Sequence, residues 1–137
     1  MSTDTQTPQP ERTLPAPLVN PENQPFFDAT AKDTLLIGAC KSCGEKHYYP
    51  RTICPHCGVD GAEWVAAKGT GTIYSYSTMH RGVPVPYTIA YVNLDEGVTM
   101  MTNLTGFAPG SLAIGQRVRV VFREAEGGIK LPMFTPA

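Results

Sequence analysis

All four cysteines of the chain lie in one short stretch, CKSCGEKHYYPRTICPHCG. They form two Cys-x-x-Cys pairs, Cys40 with Cys43 and Cys54 with Cys57, and ten residues separate the pairs. Each pair places two sulfur atoms on one tight turn, and the intervening residues are enough for a hairpin that folds one turn onto the other. The spacing therefore predicts a tetrahedral site with four thiolate ligands.

Zinc is the metal that this ligand set favours, because a closed shell of four thiolates, with sulfur about 2.3 Å from the metal, is a common structural site. Iron in a rubredoxin-like arrangement uses the same ligands, so the alternative stays open. Two disulfides are disfavoured by a reducing compartment, and a redox dithiol by the absence of a βαβ pattern. A closed shell leaves no position for water or substrate, which argues against metal catalysis.

Other polar residues are interspersed with the cysteines. His47 and His56 are expected to be loop residues and not ligands, since four thiolates already complete the shell. The basic residues in this stretch are Lys41, Lys46 and Arg51. They are expected to offset the thiolate charge, and Arg51 is also a candidate for contact with a ligand phosphate.

The composition fits a small β-rich protein and excludes several functions. The 137 residues include 13 Gly and 13 Pro, which favour short strands joined by turns. The net charge is −1 and no segment is strongly basic, so nucleic acid is a poor default partner. No run approaches the roughly 20 apolar residues of a membrane span, and the N-terminal stretch lacks a signal-peptide pattern, which predicts a cytoplasmic protein.

Four segments are predicted: a disordered tail at 1–20, a lead-in helix at 21–37, a zinc ribbon at 38–62 and an OB-fold at 63–137. The tail has few large apolar groups, so it cannot offset the entropy of ordering.

The lead-in helix is predicted from Phe27, Ala31 and Leu35, which recur every four residues, and Gly38 is expected to end it. The adjacent Phe26 and Phe27 point in different directions, so one body is not expected to bury both. The body of the chain itself and a partner protein are both candidates for covering these rings.

The strands after the ribbon are punctuated by glycine and proline. A strand in AEWVAA precedes a glycine-rich turn or bulge, and further strands are expected at 72–79, 87–94, 98–104, 116–122 and 128–134. This pattern predicts a five-stranded Greek-key barrel, most economically an OB-fold. The predicted fold class is therefore mainly β, with an N-terminal helix, a rubredoxin-like zinc ribbon and a C-terminal barrel.

Candidates for catalysis are sparse. Asp95 and Glu96 are adjacent in a predicted hairpin turn, where solvated turn residues are expected. His80 and Arg81 lie in a proline-rich loop, and Tyr87 follows it. No nucleophile or acid–base pair is evident, so no catalytic residue is predicted.

Tyr74 and Tyr76 are expected to share one face of a strand, with Tyr91 near them across the sheet. A core or interface role is favoured for these rings. An aromatic face of an OB-fold also stacks bases, so a single-stranded nucleic-acid-binding module is the alternative function.

The order of motifs over residues 21–137 resembles the acyl-CoA-associated zinc-ribbon plus OB-fold family, long catalogued as a domain of unknown function. The segments that carry the resemblance are PFFDATAKDTLLIGAC, the cysteine stretch, a Trp before GTGTIYSYS, PYTIAYVNLDEGVTMMTNL, IGQRVRVVF and LPMF. All four family cysteines are present, and the family has no agreed catalytic set.

The resemblance implies a non-catalytic accessory subunit that docks on a thiolase-like enzyme, a lipid-transfer-type aldolase or a hotdog-type hydratase. It further implies that the ribbon and lead-in helix, which carries Phe26 and Phe27, contact the partner while the barrel borders its CoA channel. A structural Zn²⁺, a CoA thioester shared with the partner and a hetero-oligomer are expected.

Overall fold

The computed structural model describes residues 13–49, 51–108 and 110–137. Within them one α-helix, α1 (Gln24–Thr30), precedes the strands β1 (Leu36–Cys40), β2 (Lys46–His47), β3 (Ala62–Ala66), β4 (Thr70–Met79), β5 (Tyr87–Leu94), β6 (Thr99–Leu104), β7 (Arg117–Glu124) and β8 (Lys130–Pro136). No helix among the described residues is long and apolar enough to cross a membrane.

Strands β4 to β8 close into a barrel with the order β4-β5-β6-β8-β7. The pairings are antiparallel except for that of β6 with β8, where Leu104 lies opposite Phe134 in parallel register. This closed barrel confirms the predicted five-stranded OB-fold, and closure leaves no open edge strand within it.

The ribbon forms a separate three-stranded sheet in the order β2-β1-β3. The pairing of β1 with β3 runs from Leu36 opposite Ala66 to Cys40 opposite Ala62. The strand in AEWVAA therefore belongs to the ribbon sheet, which extends past the predicted boundary at residue 62.

The predicted helix at 21–37 is wrong in its extent, because α1 ends at Thr30 and β1 begins at Leu36. Asp33 adopts a left-handed φ of 58°, which ends the helical turn. Gly38 does not end a helix but lies within β1, where a Cβ atom would come 2.2 Å from the His47 ring. Strand pairing on both sides of β1 thus overrides the apolar repeat that resembled a helix.

Both phenylalanines of α1 are buried, Phe26 at 1% and Phe27 at 8% exposure. The helix contacts both β1 of the ribbon and β8 of the barrel, so two rings that point in different directions each meet a neighbour. The rings contact each other edge to face with centroids 5.1 Å apart, and Tyr48 lies 5.8 Å from Phe26. The expectation that one body cannot bury both is therefore wrong, and neither ring is available to a partner in this conformation.

Residues 13–20, predicted as part of a disordered tail, lie along the barrel. Leu14 is buried against Ala125 and Met133, and its carbonyl oxygen accepts a hydrogen bond from the backbone N–H of Glu126 at 2.9 Å. Val19 packs against the main hydrophobic core, so apolar contacts hold this segment near both of its ends. Residues 1–12 of the predicted tail lie outside the described residues.

Phe26 joins the ribbon and the barrel in one hydrophobic core that also contains Ile73 and Phe134. We expect Phe26→Ala to lower the free energy of unfolding by about 3–5 kcal/mol, because it removes a buried ring and leaves a cavity. Denaturant unfolding of the zinc-loaded protein measures this. The control is Ile114→Ala at a 70% exposed position, which should change stability by less than about 0.5 kcal/mol. Equal stability of the two variants would contradict the shared core.

Candidate functional site

The two cysteine pairs adopt the same local backbone structure. The N–H of Gly44 donates to the carbonyl of Cys40 at 3.0 Å, and the N–H of Gly58 donates to the carbonyl of Cys54 at 2.9 Å. These glycines have φ of 76° and 77°, with nothing within 4 Å of a built Cβ atom, so the backbone conformation alone favours glycine. Each pair is thus a preformed turn that presents two sulfur atoms.

The turns bring all four sulfur atoms within 4.8 Å of one another. Cys40 Sγ lies 3.6 Å from Cys57 Sγ, and Cys43 Sγ lies 3.7 Å from Cys54 Sγ. A disulfide needs about 2.05 Å, so these contacts are not disulfides. Four sulfurs at about 2.3 Å from a central ion would be separated by about 3.8 Å, so the arrangement fits a tetrahedral metal shell.

Backbone N–H groups stabilise negative charge on the buried sulfurs. Ser42 and Cys43 donate to Cys40 Sγ at 3.4 and 3.5 Å, and His56 donates to Cys54 Sγ at 3.3 Å. Donation led by the N–H of Cys43 lowers the pKa of Cys40 to about 6. The N–H of Glu45 acts in the same direction on Cys43, but burial and the other sulfurs prevail and raise its pKa to about 12. A cation among the four sulfurs would favour the thiolate form of each.

The histidines and Arg51 make other contacts. His47 is buried in β2 and not in a loop as expected, with Nδ1 3.2 Å from the carbonyl oxygen of Tyr49. His56 Nε2 lies 3.1 Å from the carbonyl oxygen of Lys46. Arg51 lies near the Glu22 carboxylate, whose pKa is lowered mainly by the backbone N–H of Thr52 and only slightly by the arginine.

Asp95 and Glu96 are structural residues, but they are not simply solvated. Arg117 donates two hydrogen bonds to the Asp95 carboxylate, at 2.8 and 2.9 Å, and the Thr70 hydroxyl donates a third. Glu96 Oε2 accepts the backbone N–H of Lys68 at 2.7 Å. The β5–β6 turn is thus tied to the connection that leads into the barrel, which is a role in stability and not in catalysis.

A cavity of about 500 Å³ opens on the barrel. His80, Tyr87 and Tyr76 line it, so three candidates from the sequence converge there, whereas Arg81 is not among its lining residues. The other described residues that line it are Leu14, Thr78, Pro86, Thr88, Asn103, Leu104, Thr105, Gly106, Phe107, Ala108, Gly110, Leu112 and Met133. Among these described residues there is no carboxylate and no cysteine, and His80 and the two tyrosines are the ionisable side chains in the lining.

The tyrosines divide between the two sides of the sheet because a bulge interrupts β4 between Ile73 and Ser75. Ile73 lies opposite Val92, and Tyr76 lies opposite Ala90, so Ile73 and Tyr76 take equivalent positions although they are three positions apart in the sequence. Tyr74 lies in the bulge and is exposed. The expectation that Tyr74 and Tyr76 share one face is therefore wrong.

Sequence reasoning missed two parts of this cavity. The connection after β6 supplies one wall, including Phe107 and Leu112, and the Tyr76 hydroxyl donates to the Leu112 carbonyl at 3.3 Å. Leu14 supplies another wall from the N-terminal segment. The only local signal was the presence of single large apolar residues in segments rich in glycine and proline.

Two family models match consecutive parts of the chain. Residues 27–63 match the rubredoxin-like zinc ribbon domain of ChsH2, and residues 64–123 match the C-terminal OB-fold domain of ChsH2.

Similar proteins carry names of complex subunits. The chain is 37% identical over 133 residues to a probable enoyl-CoA hydratase alpha subunit of Thermomonospora curvata, covering 94% of this chain but only 42% of that protein. It is 35% identical to a DUF35 domain-containing scaffold protein of Methanocaldococcus jannaschii, over 64% of this chain and 67% of that protein. The chain thus spans less than half of the hydratase subunit.

Among solved structures, the fold resembles a chain of an Ltp2-ChsH2(DUF35) aldolase. The TM-score is 0.77 at 37% identity, and the match covers 88% of this chain and 98% of that chain.

We expect the purified protein to hold about one Zn²⁺ per chain, and Cys54→Ser to lose it, because a shell of four sulfurs closes around one ion. His56→Ala is the matched control, since it changes a residue of the same turn whose side chain does not belong to the sulfur cluster. Elemental analysis gives the zinc content, and circular dichroism follows folding during chelation. Full zinc retention in Cys54→Ser would contradict the assignment.

The ion pair between Asp95 and Arg117 predicts a pH-dependent contribution to stability. Hydrogen bonds from Arg117, followed by that from Thr70, lower the pKa of Asp95 in the folded state. Because its pKa is lower in the folded state, ionised Asp95 stabilises the fold at pH values above its unfolded pKa of about 3.9. This contribution is lost as the pH falls from about 5 toward 2.

Wild type should therefore be more stable than Asp95→Asn at pH 7, with the difference shrinking on acidification. Melting temperatures across this range provide the measurement, with Asp60→Asn, at another exposed carboxylate, as the control. A difference in melting temperature between wild type and Asp95→Asn that stays constant down to pH 2 would contradict a stabilising role of the ion pair.

Proposed function

The chain belongs to the ChsH2-type DUF35 family, in which a rubredoxin-like zinc ribbon precedes an OB-fold, and from this membership we propose that it is a non-catalytic accessory subunit of an acyl-CoA-processing enzyme. The observation that carries the proposal is the closed cluster of four sulfur atoms. Such a cluster holds a metal without leaving a coordination position for substrate.

The proposed metal is a structural Zn²⁺ held by Cys40, Cys43, Cys54 and Cys57. When bound, it would offset part of the thiolate charge and join the two turns. The match to a zinc ribbon model supports zinc over iron. Four cysteines without disulfides suit a reducing compartment, so a cytoplasmic location is part of the proposal.

The proposed partner is an enzyme that acts on acyl-CoA thioesters. One relative is named as a hydratase alpha subunit and another as a scaffold protein, and the similar solved structure is named as an aldolase with a DUF35 component. A thiolase-like enzyme, a lipid-transfer-type aldolase and a hotdog-type hydratase are the three candidate classes.

The barrel cavity supports a role at the edge of the partner's acyl-CoA site. Its lining combines apolar side chains with uncharged polar ones such as Thr78, Thr88 and Asn103, which suits the amide-containing arm of CoA better than a bare phosphate. We propose that a CoA thioester shared with the partner passes this surface.

The alternative, a single-stranded nucleic-acid-binding module, is disfavoured. Binding of that kind combines stacking with a basic groove, and no Lys or Arg is among the described residues that line the cavity. The Tyr76 hydroxyl is also committed to the Leu112 carbonyl.

We expect co-expression with the acyl-CoA enzymes of the same genome to yield a stable complex with one thiolase-like, aldolase or hydratase enzyme. The isolated zinc-loaded chain should show no thioester turnover in a free-thiol assay, because the described residues that line its cavity include no carboxylate and no cysteine. Size-exclusion chromatography with light scattering measures the complex. Turnover by the isolated chain, or failure of every such enzyme to bind, would contradict the proposal.

A further inference from the structure

The outer face of the barrel carries an exposed apolar groove across β4, β5 and β6. Tyr91 and Met101 are direct cross-strand partners and are 48% and 54% exposed. They border a concavity of about 310 Å³. We call it the β4–β6 groove, and its lining residues are Ser75, Tyr76, Ser77, Ile89, Ala90, Tyr91 and Met101.

The groove differs in chemistry from the neighbouring outer surface of the barrel. Strand β7 exposes Arg117 and Arg119, whereas no charged residue is among the described residues that line the groove. Tyrosine and methionine are enriched at protein interfaces, while Lys, Glu and Asp are depleted there. Adjacent exposed apolar side chains of this kind mark an interaction site, unlike single exposed ones.

Other modes of docking are restricted in this fold. Phe26 and Phe27 are buried within the chain, so the lead-in helix does not offer them to a partner. The barrel is closed, so a partner strand cannot extend its sheet. A partner can contact the barrel through its connecting loops or through side chains that project from its outer face, and Tyr91 and Met101 lie on that face.

We propose that the β4–β6 groove is the surface that receives the partner enzyme, a proposal that rests on the proposed function. The enzyme contributes an uncharged surface with an apolar side chain that packs between Tyr91 and Met101. The hydroxyl groups of Ser75 and Ser77 are available to polar atoms at the edge of that contact.

The lack of charge in the groove and its small area favour the surface of a partner enzyme as its ligand. An uncharged lining offers nothing to a phosphate backbone, whose binding depends on Lys and Arg. A patch of this kind exposes on the order of a few hundred Å² of apolar surface, whereas a stable interface buries about 800 Å² on each partner. A second copy that met this patch with its own identical patch would bury too little. A larger enzyme surface can extend beyond the groove, for instance to Tyr74, which is 62% exposed.

The test uses the acyl-CoA enzyme that wild type retains in co-expression. Affinity is measured by titration calorimetry for wild type, for the double variant Tyr91→Ser with Met101→Ser, and for the control Ile114→Ser, which changes an exposed apolar residue outside the groove. We expect the double variant to bind at least about 30-fold more weakly, because central aromatic anchors dominate interface energies. The control should bind like wild type, and all three should keep their zinc and melting temperature.

A photo-crosslinking amino acid gives a second measurement on a protein that retains both Tyr91 and Met101. Placed at Ser77 in the groove it should crosslink to the enzyme, and at Arg119 on β7 it should not. Unchanged affinity of the double variant, or crosslinking from Arg119 alone, would overturn the groove assignment while leaving the accessory role intact. If wild type binds no enzyme, the proposed function itself fails.

Two other ligands of the groove, a second copy of the chain and a nucleic acid, would give different results in these measurements. Light scattering of the isolated chain would reveal a dimer that the double variant abolishes if a second copy occupies the groove. A fluorescent single-stranded oligonucleotide would bind wild type and lose affinity for Tyr91→Ser if nucleic acid occupies it. Either result would overturn the proposal.

Discussion

The packing of four sulfur atoms within 4.8 Å of one another is the constraint on which the ribbon depends. Two short turns closed by equivalent backbone hydrogen bonds present these atoms, and uncompensated thiolates at this spacing would repel one another. A central cation would reverse that repulsion and join Cys40 of β1 to the distant turn at Cys54. Because sulfur occupies every position of the tetrahedron, the same arrangement that stabilises the ribbon removes the metal from catalysis.

The ribbon does not stand apart from the barrel. Helix α1 lies against β1 and β8 and places Phe26 and Phe27 in a core that continues into the barrel. Metal binding in one part and strand pairing in the other therefore stabilise a single hydrophobic unit. This arrangement also buries the apolar surface of the helix within the chain. Tyr91 and Met101, which pair across β5 and β6, remain exposed on the outer face of the barrel.

The sequence predicted those features that depend on local pattern. The cysteine spacing predicted the sulfur cluster, and alternation with glycine-rich turns predicted all five barrel strands, including β5 at its observed bounds. The predictions failed where distant pairing decides the structure. Gly38 lies in a strand because β2 and β3 flank it, and Phe26 is buried because β1 and β8 meet at the helix. The bulge after Ile73, which separates Tyr74 from Tyr76, has no signal of its own at those residues.

X-ray absorption at the zinc edge of the purified protein tests the central claim most directly, because it counts the atoms bound to the metal. A closed structural site predicts four sulfur neighbours at about 2.3 Å and no lighter ligand. An oxygen neighbour at about 2.0 Å in place of one sulfur, as from a bound water, would reveal a shell that the cysteines do not close. That result would contradict the assignment of this chain as a non-catalytic scaffold.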